Sequence, residues 1–100
     1  MTAPRVRWSA RAQSDLLAIG EHIAQDKPIA ARAWVERLRL RAHDAAAAPL
    51  AQRRVPALER DDIREAIVSG YRIVYAVTAG RIDVLTVFEG HKQLSDDVDV

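Results

Sequence analysis

Three short apolar runs in the second half of the chain constrain the fold more than any other feature. They span residues 63–68, 71–78 and 81–88, and the two-residue links Ser69-Gly70 and Ala79-Gly80 separate them. Links of this length that contain glycine are typical of tight β-hairpins. The sequence therefore predicts a three-stranded antiparallel meander.

The middle run is apolar on both faces, which indicates a central strand. One face carries Tyr71, Ile73, Tyr75 and Val77, and the other carries Arg72, Val74, Ala76 and Thr78. A layer of helices can cover only one of these faces. We therefore expect the C-terminal segment or another molecule to shield part of the other face.

The first half of the chain predicts a short strand followed by two helices. Residues 5–8 alternate as a strand does, and Ser9 is a favourable N-cap for a helix over 10–24. Gly20 weakens this helix without ending it. The apolar positions at helical spacing are Ala12, Leu16, Ile19 and Ile23.

A second helix is predicted to begin at Asp26-Lys27-Pro28, where aspartate can cap and proline fits the first turn. Its apolar stripe consists of Ala31, Trp34, Val35, Leu38, Ala42 and Ala45, and Pro49 ends it. A short link between two such helices favours an antiparallel hairpin that packs on another layer. Residues 49–62 show no period and predict a loop with Arg53 and Arg54 exposed.

Composition limits the function classes. One hundred residues suit a single domain over 1–100, with a tail expected to fray over about 95–100. The chain has no cysteine and no apolar run of about 18 residues, so we expect a cytoplasmic protein with no membrane partner. A formal charge of +1 lacks the positive excess of most nucleic-acid-binding domains.

The sequence contains no pattern that predicts a cofactor. There is no glycine-rich phosphate loop. The glycines after residue 60 are single and lie next to the apolar runs, where turns explain them. His22, His43 and His91 are scattered, and none has a ligand partner at a spacing typical of a metal site. We therefore expect surface histidines, no metal and no cofactor.

Several segments together resemble the ParE/RelE superfamily of bacterial toxins from type II toxin–antitoxin modules. These are the opening W-S-x-x-A-x-x-D-L within VRWSARAQSDLLAIGEHI, the Ala-Ala and Trp-Val pairs of residues 28–38, the segment DDIREAIVSGYRIVYAV, and VLTVFEG. The resemblance covers about residues 5–94. It implies an α+β fold in which the helical hairpin packs on one face of a four-stranded sheet, and a cognate antitoxin that wraps across the surface.

The superfamily includes two activities, and the resemblance allows either one. RelE-type members cut messenger RNA on the ribosome, which requires a base, an acid and a cation near the scissile phosphate. Arg72 matches a phosphate-binding arginine of that group, and His91 and Lys92 could supply acid–base function and charge. The strand before Gly70 lacks the lysines of that group, however, and no tyrosine follows Lys92.

ParE-type members inhibit DNA gyrase and need no reactive group, so the resemblance favours a gyrase-binding toxin. The last turn reads Glu89-Gly90-His91-Lys92 where that group commonly carries a His-Gly-x-Arg-like turn. A messenger-cleaving enzyme and an inactive binding partner remain alternatives. The residues expected to contact the antitoxin or the target are Arg64, Arg72, Tyr75, Glu89, His91 and Lys92. Arg72 also has a structural interpretation, in which it packs on the sheet and pairs with Glu65 or another carboxylate.

Overall fold

A computed structural model describes residues 5–90 as two helices packed on one face of a five-stranded mixed sheet. The α+β class and the order strand, two helices, meander are confirmed. The elements are β1 (Val6–Trp8), α1 (Ala10–Asp26), α2 (Pro28–Ala47), a 3₁₀ turn (Pro49–Ala51), β2 (Arg53–Arg54), β3 (Ile63–Val68), β4 (Tyr71–Thr78) and β5 (Arg81–Glu89).

The sheet has the order β1-β5-β4-β3-β2 and is antiparallel except for β1, which pairs parallel with β5. The expectation of four strands was wrong by one. Arg53 and Arg54 lie opposite Glu65 and Arg64 and form a two-residue edge strand in the segment expected to be a loop. Two consecutive arginines carry no apolar alternation, so this strand could not be predicted from the sequence pattern.

The opening W-S-x-x-A-x-x-D-L attaches α1 to the sheet. The hydroxyl of Ser9 accepts a hydrogen bond from the amide of Ala12 and donates one to the carbonyl of Leu85. One turn later, the carboxylate of Asp15 accepts hydrogen bonds from the Thr86 hydroxyl and the Val87 amide. β1 pairs only as far as Val84, so Ser9 and Asp15 continue the bonding along this edge of β5.

The two helices meet closely at Gly20. A Cβ atom on Gly20 would lie 3.0 Å from Cγ2 of Val35, so glycine here permits close helix packing, and α1 continues through it as expected.

The break between the helices is the single residue Lys27. Asp26 was expected to cap α2, and this was wrong because Asp26 is the last residue of α1 and Lys27 occupies the cap position without a side-chain hydrogen bond.

The main core lies between the helices and one face of the sheet. Leu16 and Leu38 are completely or almost completely buried against Ile73, Tyr75 and Ile82. A smaller apolar cluster lies on the opposite face, which we call the helix-free face. There Val55 and Leu58, from the segment between β2 and β3, pack on Ile63 and Val74.

This second cluster changes the expectation about how the sheet is shielded. The sequence predicted that the C-terminal segment or another molecule would cover the helix-free face, but Val55 and Leu58 already cover part of it. The tail over residues 95–100 lies outside the described residues.

The hairpin between β3 and β4 follows its sequence closely. Ser69 and Gly70 both have positive φ angles, 45° and 88°, as the favoured two-residue hairpin turn requires. The same turn meets the end of β5, where the Gly90 amide donates to the Gly70 carbonyl. A Cβ on Gly90 would lie 2.8 Å from that carbonyl oxygen, so only glycine fits without a shift.

Candidate functional site

Arg72 lies on the helix-free face and pairs with a buried carboxylate. Its Nη1 atom is 3.7 Å from Oε2 of Glu65, and its side chain is 30% exposed. The geometry agrees with the structural interpretation of Arg72, in which the side chain packs on the sheet beside Glu65. Arg72 stays partly accessible, so this pairing does not prevent it from meeting a partner.

Glu65 is the most unusual polar residue of this face. It is 2% exposed, and Arg53 approaches it from β2 with Nε 2.7 Å from Oε1. Neither carboxylate oxygen accepts a well-directed hydrogen bond within residues 5–90. Glu65 therefore lies between Arg53 and Arg72 and is in ion-pair contact with both.

Arg64 has a structural role in addition to any contact with a partner. Its guanidinium donates hydrogen bonds to the carbonyl oxygens of Leu50, Gln52 and Asp61 at distances of 2.8 to 3.2 Å. Three backbone acceptors fix this side chain against the turn that precedes β2. Arg64 therefore holds the 49–62 segment on the sheet.

Tyr75 cannot contact a partner in this fold, so its place among the binding candidates was wrong. It is completely buried in the main core, and its hydroxyl donates a 2.7 Å hydrogen bond to the Pro49 carbonyl. Burial raises the pKa of Tyr75 to about 12, although the charges of Arg41 and Arg64 act in the opposite direction. Alternation along β4 could not tell which face the helices would cover.

Glu89 ends β5 directly opposite Tyr71, beside the helical layer. The pKa of the Tyr71 phenol is raised, first by burial and then by the negative charge of Glu89. Tyr71 packs against Trp34 with ring centroids 5.8 Å apart, and the guanidinium of Arg37 lies over Trp34. His91 and Lys92 lie outside the described residues, so the structure does not place them relative to Arg72.

An open groove runs along the outer side of the helical hairpin. Its volume is about 480 Å³. Leu17, Gly20 and Val35 are among its apolar lining residues, and Arg32 and Glu36 are among its charged ones. Leu17 is 65% exposed and therefore gives the groove an accessible apolar surface. A second depression at Trp8 and Arg39 shares Leu17 and extends the groove toward the sheet.

The described residues contain no cluster of three or more His, Cys, Asp or Glu side chains placed to hold a metal ion. Within the same part of the chain, no helix has the length and apolar content needed to cross a membrane.

Comparison with known families identifies the chain. The family described as "ParE toxin of type II toxin-antitoxin system, parDE" matches residues 6–94. The chain belongs to the ParE toxin family. It is therefore a ParE-type toxin of a type II toxin–antitoxin system, and the resemblance inferred from the W-S-x-x-A-x-x-D-L, IRE and GYRIVY segments is confirmed.

Solved structures support the same fold. The chromosomal ParDE toxin–antitoxin system from P. aeruginosa is similar with a TM-score of 0.72 and 18% identity, over 87% of this chain and 96% of that chain. The toxin–antitoxin complex RelBE2 from Mycobacterium tuberculosis is similar with a TM-score of 0.64 and 20% identity, over 89% of this chain and 93% of that chain. No curated protein sequence matches at a significant level.

Proposed function

We propose that this ParE-type toxin acts in the cytoplasm by binding DNA gyrase and blocking its reaction cycle, and that a cognate antitoxin neutralises it. One observation carries the proposal beyond the family itself. Three of the polar candidates within residues 5–90 serve the fold: Arg64 holds the 49–62 segment, Tyr75 is buried, and Arg72 pairs with Glu65. A toxin that acts by binding needs none of them as a reactive group.

The messenger-cleaving alternative requires more chemistry. RNA cleavage without a metal needs a base, an acid and a cation within hydrogen-bond reach of one phosphate. Of the three residues in the nuclease hypothesis, the structure describes Arg72, which is partly accessible, while His91 and Lys92 lie outside the described residues. Because the fold is also similar to that of the RelBE2 complex, the nuclease alternative is included in the test below, although the fold does not favour it.

The groove on the helical hairpin supports an antitoxin as partner. Leu17 lies in a channel with apolar walls and charged rims, the arrangement that an amphipathic segment of another protein fills. One solved structure of similar fold is itself a ParDE toxin–antitoxin system. We infer that the antitoxin covers this groove and hides Leu17 from water.

The activity is tested with two assays on the same purified protein. One measures supercoiling of relaxed plasmid by gyrase, and the other maps messenger cuts in a translating extract by primer extension. Loss of supercoiling with intact messages supports the proposal. Codon-positioned cuts with normal gyrase activity would replace it with the nuclease function, and no effect in either assay would indicate an inactive binding partner.

A further inference from the structure

The helix-free face contains a group of three charged side chains that the proposed activity does not use. Arg53, Glu65 and Arg72 lie on neighbouring strands, with Glu65 in the middle and 2% exposed. Arg53 and Arg72 both approach within 4 Å of its carboxylate. We call these three residues the arginine pair and its buried carboxylate.

Arg53 and Arg72 differ from four arginines whose side chains are held by hydrogen bonds. Arg41, Arg60, Arg64 and Arg81 each donate hydrogen bonds to an oxygen acceptor. Within residues 5–90, the guanidinium groups of Arg53 and Arg72 share the single carboxylate of Glu65, and their side chains are 53% and 30% exposed. A guanidinium has five N–H donors, so the pair presents donors to solvent in excess of the acceptors beside it.

The charge of the group is also unbalanced. Two guanidinium groups against one carboxylate leave a local charge of +1. Such a group gains most from an additional oxygen anion, because guanidinium–carboxylate hydrogen bonds are short, charge-assisted and often bidentate. The missing component is therefore an anionic acceptor.

The surroundings indicate what kind of molecule carries that acceptor. Arg72 lies between Ile67, which is 43% exposed, and the partly buried Phe88 on the neighbouring strands. An acceptor that reaches Arg72 therefore lies beside apolar surface, as an acidic side chain in a partly apolar peptide would. The net charge of +1 gives no additional attraction for a phosphate backbone.

We propose that Arg53 and Arg72, held by Glu65, form the receptor for a carboxylate side chain of the antitoxin. The inference rests on the proposed antitoxin partner and adds a second contact, on the face opposite the helical groove. Glu65 is a positioning residue, because it orients both guanidinium groups and is itself too buried to meet the partner. An antitoxin segment with one Asp or Glu beside apolar residues fits this surface.

The test measures how tightly the toxin binds the protein encoded by the adjacent reading frame, by calorimetry at two salt concentrations. The variants are Arg53→Gln and Arg72→Gln, with Arg54→Gln as matched control because Arg54 is on the same strand but faces the other side. Each of the first two should weaken binding about 10-fold or more, as loss of a charge-assisted contact does. Binding by these variants should also depend less on salt, and Arg72→Lys should not restore it.

Leu17→Asp separates failure of this inference from failure of the proposed function. If Leu17→Asp weakens binding while Arg53→Gln and Arg72→Gln bind as wild type, the receptor is wrong and the antitoxin partner stands. If the wild-type toxin does not bind the protein encoded by the adjacent reading frame, both the antitoxin partner and the carboxylate receptor are overturned. If the arginine variants lose affinity only for a short single-stranded RNA, the acceptor is a phosphate and the inference is wrong. Circular dichroism confirms that each variant is folded.

Discussion

At the scale of single residues, the polar side chains of this fold mostly stabilise backbone that regular structure leaves unpaired. Asp15 accepts a hydrogen bond from the Val87 amide on the edge of β5 beyond the end of β1. Arg64 donates hydrogen bonds to three carbonyl oxygens of the 49–62 segment. Tyr75 reaches the Pro49 carbonyl from inside the core. Such a group is costly to remove where the partner left behind is buried, as it is for the Thr86 and Val87 donors of Asp15.

Asp15→Ala should lower the free energy of unfolding by about 2 to 4 kcal/mol. The substitution leaves the Thr86 hydroxyl and the Val87 amide without their acceptor, and both residues are at most 3% exposed. Urea unfolding followed by circular dichroism measures the change. Asp44→Ala, an exposed aspartate on α2, is the control and should change stability by less than about 0.5 kcal/mol. Equal effects of the two substitutions would contradict this role for Asp15.

Tyr75→Phe should cost about 1 kcal/mol near neutral pH, because it removes the hydrogen bond to the Pro49 carbonyl. The pKa of Tyr75 is raised from 10.0 to about 12, so the native state keeps its proton where the unfolded chain releases it. Wild-type stability from this group is therefore constant below about pH 10 and falls as the pH rises toward about 12.

The stability difference between wild type and Tyr75→Phe should therefore shrink from about pH 10 upward. Urea unfolding of both proteins at pH 8, 10 and 11 measures this difference. Tyr71 is present in both proteins, so its contribution to the pH dependence cancels. A difference that stays constant over this range would mean that burial does not hold the Tyr75 proton.

At the scale of elements, local pattern predicted most of the fold. Helical spacing located both helices, and the Ser69-Gly70 and Ala79-Gly80 links located the meander. The sequence did not reveal β2, because Arg53 and Arg54 show no apolar alternation and pair with a strand that begins ten residues later. It also did not reveal how Val55 and Leu58 cover the helix-free face, since that depends on how the intervening chain folds back.

The same distinction applies to the candidate site. Pairing of Arg72 with Glu65 was predictable, because both residues alternate onto one face of neighbouring strands. Arg53 was missed, since its place depends on β2. Tyr75 was misplaced because both faces of β4 are apolar, so the sequence could not indicate which face meets the helices.

Gly90→Ala should destabilise the protein by about 2 to 3 kcal/mol through overpacking at the meeting of β5 with the β3–β4 turn. The added methyl group would lie 2.8 Å from the Gly70 carbonyl oxygen and 3.4 Å from Nε of Arg72. Gly80→Ala is the comparison, because the space around Gly80 is open and only its φ of 75° opposes a side chain. Thermal unfolding that showed Gly80→Ala to be the costlier change would contradict the close contact at Gly90.

At the scale of the whole molecule, the fold offers two separate surfaces for partners. The outer groove of the helical hairpin is apolar around Leu17, and the helix-free face carries the arginine pair and its buried carboxylate. The core lies between these surfaces, so a partner that reaches both must wrap around an edge of the sheet. A toxin that acts by binding can thus be neutralised by covering surface, without blocking a reactive group.

Gyrase-mediated DNA cleavage is the decisive assay for the proposal that this toxin acts by binding gyrase. Purified toxin is incubated with gyrase and supercoiled plasmid, detergent and protease are added, and linear DNA is measured on a gel. We expect linear DNA to increase with toxin concentration, for Arg72→Gln as for wild type, because binding and not a catalytic arginine traps the cleaved complex. The proposal would be contradicted if the toxin produced no linear DNA above the gyrase-only background and instead cut messenger RNA, with that cutting lost in Arg72→Gln.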